Sequence, residues 1–248
     1  MTESTTHFGF NEIPIPEKIR RVREVFDSVA DNYDLMNDLM SLGVHRLWKR
    51  YAAHKLRLRP GNRVLDVAGG TGDLTRLMSQ AMDDQGRIVV YDLNDRMLNV
   101  GRERLTDAGM VSGIDWMQGN AESLPFADNS FHAVTIGFGI RNVTRIETAF
   151  REMVRVLRPG GTLMCLEFSH LTIPFLDPLY EAYSFKVLPE LGHWVANDRE
   201  SYQYLVESIR RFPDQEELKA LLEKCGLFKV HYHNLSAGIA AVHLGYKV

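Results

Sequence analysis

Cysteine is scarce: Cys165 and Cys225 are the only two in 248 residues. They are too few and too far apart for a disulfide framework or a C-x-x-C metal site, and such usage suits a reducing compartment. Charge of one sign is also lacking, with a net of −3, so no global basic field recommends nucleic acid as a partner. No apolar run reaches the roughly 18 residues a membrane span needs, and Met1 to Asn11 has no export-signal core. Repeats and low-complexity tracts are absent. The expectation is a cytoplasmic protein, neither exported nor membrane-spanning. What is present is 45% hydrophobic content, enough to bury the core of one α/β domain.

The most informative stretch runs from Val64 to Asp73, VLDVAGGTGD. An apolar strand ends in a glycine turn and a helix begins directly after it, an arrangement that lets backbone and a helix amino terminus approach a small molecule. A dinucleotide fingerprint wants a third glycine, but reading on from Gly70 and Gly72 that place holds Thr75, which disfavours pyrophosphate. The next candidate strand ends in Asp92, twenty positions after Gly72, where a carboxylate accepts ribose hydroxyls. Asp92 alone serves NAD and S-adenosylmethionine equally. Glycine turn plus ribose acid without the pyrophosphate glycine favours S-adenosylmethionine.

Periodicity gives the rest. Glu17 to Ala30 reads as an amphipathic helix and Val44 to Leu58 as a second, joined by a polar, aromatic connection that includes Tyr33. From Arg63 the pattern alternates: strand 63–67, helix 71–82, strand 87–92, helix 94–108, strands 113–118 and 131–137, helix 144–157, strand 161–168. Such alternation argues a doubly wound, mostly parallel sheet. Asn120, after the third strand, is placed to bond an adenine edge or to make an Asn turn. Leu171 to Pro213 breaks the rhythm with prolines and aromatics, which reads as a lid or substrate wall. Asp214 then caps a helix, with an acid three residues on, and Phe228 to Tyr246 reads as two strands around Ser236-Ala237-Gly238.

YDLMNDLMSLGVHRLW (33–48), RVLRPGGTLMCLEFS (155–169), AGGTGDLT (68–75), GNAESLPF, FGIRNV (138–143) and the tail HLGYKV together resemble the ubiquinone/menaquinone biosynthesis C-methyltransferase family, the UbiE or MenG group, over nearly the full length. The resemblance implies a class I S-adenosylmethionine-dependent methyltransferase fold: a seven-stranded sheet with N-terminal helices and a lid insertion. On that reading residues 1–248 form a single domain, divided into a helical cap (1–60), a cofactor-binding core (61–170), a lid or substrate insertion (171–213) and a C-terminal helix and hairpin (214–248). It implies S-adenosyl-L-methionine as cofactor, bound at Thr71, Asp92, Asn120 and Ala121, alongside Gly70 and Gly72 of the turn. One departure is Gly137, where the family often has Ser, so no side-chain contact is carried over there. The acceptor implied is a polyprenylated quinol, either demethylmenaquinol or 2-methoxy-6-polyprenyl-1,4-benzoquinol.

Methyl transfer from a sulfonium is an in-line displacement that needs alignment and dryness, and no metal is expected. His231 and His233 share a strand face without a third ligand. A ring carbon becomes nucleophilic when a neighbouring hydroxyl loses a proton, and a phenol titrates near ~10 by analogy with tyrosine. Arg141 in FGIRNV is the candidate for stabilising the developing phenolate, with a structural ion pair as its alternative. A water, His45 or Tyr33 is the candidate proton acceptor. Between Glu17 and Arg59 stand ten Lys/Arg against six Asp/Glu, a balance that suits either a solvated helical face, with acids interspersed, or a peripheral contact with anionic lipid on the inner membrane face; the resemblance adds other quinone-biosynthesis proteins as partners, and no nucleic acid is expected. A nicotinamide-dependent reductase and a non-catalytic nucleoside-binding module are the rival readings.

Overall fold

The computed structural model describes residues 5–29, 37, 38, 41, 43–172, 190 and 199–248. The chain opens with a hairpin the sequence pattern does not announce, β1 (Thr5–Phe8) paired antiparallel with β2 (Asn11–Pro14). Tertiary packing makes it: the Phe8 ring stacks on Tyr204 at 4.0 Å, and the Phe10 amide donates to Glu207. Gly9 turns the corner at φ +57°, where a side chain would also collide with Glu207.

Helix α1 (Ile15–Val29) follows, then α2 (His45–Lys55). Alternation then sets in with β3 (Arg63–Val67), α3 (Asp73–Ala81), β4 (Arg87–Asp92), α4 (Asp95–Asp107), β5 (Ile114–Gln118) and β6 (Phe131–Gly137). A single 3-10 turn, Ile140–Asn142, leads to α5 (Ile146–Val156) and β7 (Leu157–Phe168). The chain closes with α6 (Arg199–Arg211), α7 (Gln215–Lys224), β8 (Phe228–Leu235) and β9 (Ala240–Tyr246).

The main sheet has seven strands in the order β5-β4-β3-β6-β7-β9-β8. Strands β3 to β7 run parallel, and β9 lies antiparallel to both β7 and β8. Successive strand residues face opposite layers: Val64, Ala133 and Met164 join one buried cluster with Trp48, Met78 and Leu205, while Leu65, Val134 and Cys165 join another with Phe150, Met153 and Leu222. A sheet covered on both faces explains why these strands read as continuous apolar runs.

Two departures from the expected boundaries have local causes. Strand β7 begins at Leu157 rather than 161, because Leu157 pairs with Phe131 and the Gly160 amide donates to the Lys247 carbonyl. The end of the expected lid is helix α6, whose Tyr202, Leu205, Val206 and Ile209 are buried at helical spacing in the core. Most of the remainder of 171–213 lies outside the described residues.

The strand order reverses between β3 and β6: the chain winds out from β3 to β5 and then returns across it. In open α/β sheets the crevice outside the carboxyl ends at such a point is where ligands bind.

Candidate active site

The turn after β3 sits at that crevice. Gly70 and Gly72 take φ of +51° and +75°, conformations that disfavour a Cβ. Gly72 starts α3, and a Cβ there would meet Trp116 at 2.9 Å. Its glycine is therefore required by packing, and it lies on neither cavity wall described below. The Gly70 amide donates to Asp92 Oδ2 and the Asn94 amide to Asp92 Oδ1, both at 2.9 Å. These bonds fix the carboxylate at the end of β4 and leave each oxygen a lone pair for a ligand. Burial pushes the Asp92 carboxyl up to about 6, against the backbone amides that hold its charged form.

Asp92 belongs to the wall of a cavity of about 860 Å³, counted to its open mouth, a size suited to a small organic ligand. Leu93, Met97 and Phe138 supply apolar surface, and Gly70, Asn120 and Ala121 line it as well. Asn120 makes the turn that its sequence position allows. Its Oδ1 accepts from the Glu122 amide at 2.9 Å, an Asn turn, and its NH2 group has no partner among the described residues. The roof is α1, which contributes Ile19, Val22 and Phe26. The periodicity of α1 predicted this apolar face without saying what it covers. The helix is pinned on both sides of the cavity: Lys18 Nζ donates to the Val143 carbonyl at 3.2 Å, Asn94 Nδ2 to Asp27 Oδ1 at 2.8 Å, and Arg23 pairs with Asp95 at 2.8 Å. Burial lowers Lys18 to about 8, opposed by the charge of Glu122.

A second, smaller cavity of about 400 Å³ shares Ala68 and Gly70 with the first. Thr71 is buried in its wall, and Gly137 lies there too. Lys49 of α2, Asp66 and Asp73 give it a polar lining. Lys49 Nζ lies 2.8 Å from Asp73 Oδ2, and Arg104 binds the other oxygen, Oδ1. The two cations outweigh burial and bring Asp73 down to about 2. Asp66 accepts from Thr75 and Thr135 at 2.6 and 2.7 Å. Thr75, which excluded the dinucleotide motif, is thus a buried partner of Asp66. Lys49, Asp66 and Asp73 went unnoticed in the sequence, although a lysine four residues after His45 on an otherwise apolar helix face was the available signal.

Arg141 lies in the 3-10 turn just past β6 and on neither cavity wall. Its side chain is 3% exposed and that of Glu167 1%, with Nη1 to Oε1 at 2.7 Å. The same Nη1 donates to the Phe138 carbonyl at 2.7 Å, while the buried Nε has no partner among the described residues. Burial raises the Glu167 carboxyl and Arg141 works against it. The carboxylate pair weighed for Arg141 is therefore present.

His45 is 1% exposed. Its Nε2 donates to Asp38 Oδ1 at 2.9 Å, and its buried Nδ1 has no partner among the described residues. Burial and the nearby Lys49 charge lower the His45 pKa, so the ring is neutral at pH 7. Burial opposes ionisation of Asp38, but hydrogen bonds from His45 and Arg46 outweigh it and lower its pKa. Tyr33 lies outside the described residues.

Comparison with known proteins shows what the chain is similar to. The sequence model of the ubiE/COQ5 methyltransferase family matches residues 16–247. The chain is 58% identical over 245 residues to a ubiquinone/menaquinone biosynthesis C-methyltransferase UbiE of Legionella pneumophila, covering 99% of this chain and 98% of that protein. It is 54% identical over 247 residues to the protein of that name in Xanthomonas oryzae, covering 100% and 98%. Among solved structures it is similar to a SAM-dependent methyltransferase of Thermotoga maritima, with a TM-score of 0.64 at 22% identity over 92% of this chain and 100% of that one. It is also similar to a 4+2 cyclase, SpnF, with a TM-score of 0.62 at 17% identity over 82% and 81%. Such distant likeness speaks to the fold alone, which hosts more than one chemistry.

Proposed function

This chain belongs to the ubiE/COQ5 methyltransferase family, an S-adenosyl-L-methionine-dependent methyltransferase, and we propose that it methylates a ring carbon of a polyprenylated quinol in ubiquinone and menaquinone biosynthesis. The observation that carries the reading is Asp92, held by the Gly70 and Asn94 amides in the wall of an apolar cavity. The residues present fit the donor: Asp92 for the ribose hydroxyls, Asn120 and Ala121 for the adenine edge, Leu93 and Met97 for its faces, and the Gly70–Thr71 backbone for what lies beyond the ribose. When bound, the donor supplies an electrophilic methyl group on a sulfonium.

The chain's part is to align the acceptor, exclude water and manage one proton. Arg141 is assigned the developing phenolate charge, which its fixed guanidinium stabilises without being deprotonated. What supports this is its place just past β6 beside the ligand edge and a buried Nε without a partner among the described residues, while its pair with Glu167 is the competing structural role. His45 is assigned the proton. Supporting this, Asp38 fixes its Nε2–H tautomer, so the lone pair falls on the unpartnered Nδ1. An isoprenoid tail also requires the enzyme to meet a lipid surface. Among the described residues no helix is long and apolar enough to cross a membrane, and a peripheral contact with that surface is the reading proposed.

The test is incubation with methyl-labelled S-adenosylmethionine and either reduced demethylmenaquinol or its benzoquinol counterpart, followed by extraction of the lipid phase. Label in the quinol fraction is expected. Donor binding without label in either quinol contradicts the acceptor assignment.

A further inference from the structure

The larger cavity accounts for a nucleoside, but a sulfonium donor also carries an α-amino acid, a zwitterion at neutral pH. The smaller cavity begins where the larger one ends, with Ala68 and Gly70 common to both walls. Its lining has mixed charge: Lys49 on one side, Asp66 and Asp73 on the other. A lone anion would meet two carboxylates there, whereas a zwitterion finds a partner for each of its ends.

We infer that Lys49 holds the α-carboxylate of the donor in this smaller cavity, an assignment that rests on the S-adenosylmethionine reading above. Lys49 is 7% exposed on α2, so its side chain is held within the fold at the cavity wall. Its bond to Asp73 Oδ2 at 2.8 Å takes one of three N–H donors. Asp73 is already met by Arg104 on its other oxygen, so its charge is shared between two cations and does not neutralise Lys49 alone. Asp73 then positions the ammonium group, and Lys49 reads the carboxylate by a charge-assisted hydrogen bond.

The experiment is calorimetric titration of the full chain with three ligands: S-adenosylhomocysteine, its decarboxylated analogue and 5′-methylthioadenosine. The wild type is expected to bind S-adenosylhomocysteine roughly tenfold to a hundredfold more tightly than the decarboxylated analogue, the ratio of one charged hydrogen bond. Lys49→Gln is expected to bring the two affinities within about twofold of each other while leaving methylthioadenosine binding intact, which also reports folding. Lys49→Met is the second variant should the glutamine be unstable, and Lys49→Arg should keep most of the ratio. Equal wild-type affinities, or a ratio that survives loss of the charge, overturns the assignment. So does a variant that weakens all three ligands alike, since Lys49 would then serve only its ion pair. A wild type that binds none of the three fails the donor reading itself.

Discussion

Asp92 shows how one carboxyl couples affinity to pH. Burial raises it to about 6, and ribose hydroxyls are best accepted by its ionised form. A ligand that binds the ionised form has full affinity above that value and loses it as pH falls, about tenfold per unit. Calorimetry with S-adenosylhomocysteine between pH 8 and 5 should show this bend near 6, and Asp92→Asn should be weaker and flat across the same range. A wild-type affinity independent of pH would remove Asp92 from the ribose. The buried pair of Arg141 and Glu167 calls for a different design, because cutting one partner leaves a buried charge and costs about 3–5 kcal/mol of stability. The double variant Arg141→Met with Glu167→Leu removes both charges together. It should stay folded with donor affinity unchanged, while kcat falls about 10²–10³-fold, the range for a lost oxyanion donor. Wild-type turnover would confine Arg141 to the ion pair. The places of Asp92 and Asn120 in the cavity wall were legible in sequence because each stands at the carboxyl end of a strand; Arg141 also stands just past a strand, yet it lies on neither wall. Lys49 and Asp66 were not, because their significance lies in contacts across three elements.

Helix α1 is the element on which access depends. It roofs the larger cavity with Val22 and Phe26 and is pinned by Lys18, Asp27 and Arg23 to the loops on either side. A donor lying under that roof must pack against it, so ligand binding should slow hydrogen exchange of the α1 amides together with those of the Gly69–Gly72 turn. Mass spectrometry after exchange checks it, and protection of the turn with none on α1 would mean the helix is no part of the site. Helix α1 carries Lys18, Arg20, Arg21 and Arg23 against Glu17, Glu24 and Asp27, and with Arg20–Glu24 and Arg21–Glu17 paired on its outer face little of the basic excess counted in the sequence lies on this helix. Salt should then have little effect on vesicle sedimentation, with charge reversal at Arg20 and Arg21 equally mild; steep salt dependence would restore an electrostatic attachment. Strands β3, β4 and β6 were read to the residue, since fully buried runs bounded by turns leave little freedom. The β1–β2 hairpin and α6 were not read. The hairpin exists by packing on Tyr204 and Glu207, contacts nearly 200 residues away in sequence. The helical spacing of Tyr202, Leu205, Val206 and Ile209 was there to find but stood behind a proline- and aromatic-rich segment.

At the scale of the whole molecule, a seven-stranded sheet with both faces covered leaves its ligand edge free for two adjoining cavities, one apolar with a fixed carboxylate and one polar with mixed charge. The fold alone does not choose the chemistry; the residues at that edge do. The central claim is that this edge holds an adenosyl amino acid and hands its methyl group to an aromatic ring. Calorimetric titration of the purified chain with S-adenosylhomocysteine and, separately, with NADH tests it most directly. Saturable heat for S-adenosylhomocysteine, weakened about tenfold or more by Asp92→Ala, with none for NADH, is the predicted result. Saturation by NADH with no heat for S-adenosylhomocysteine would contradict it.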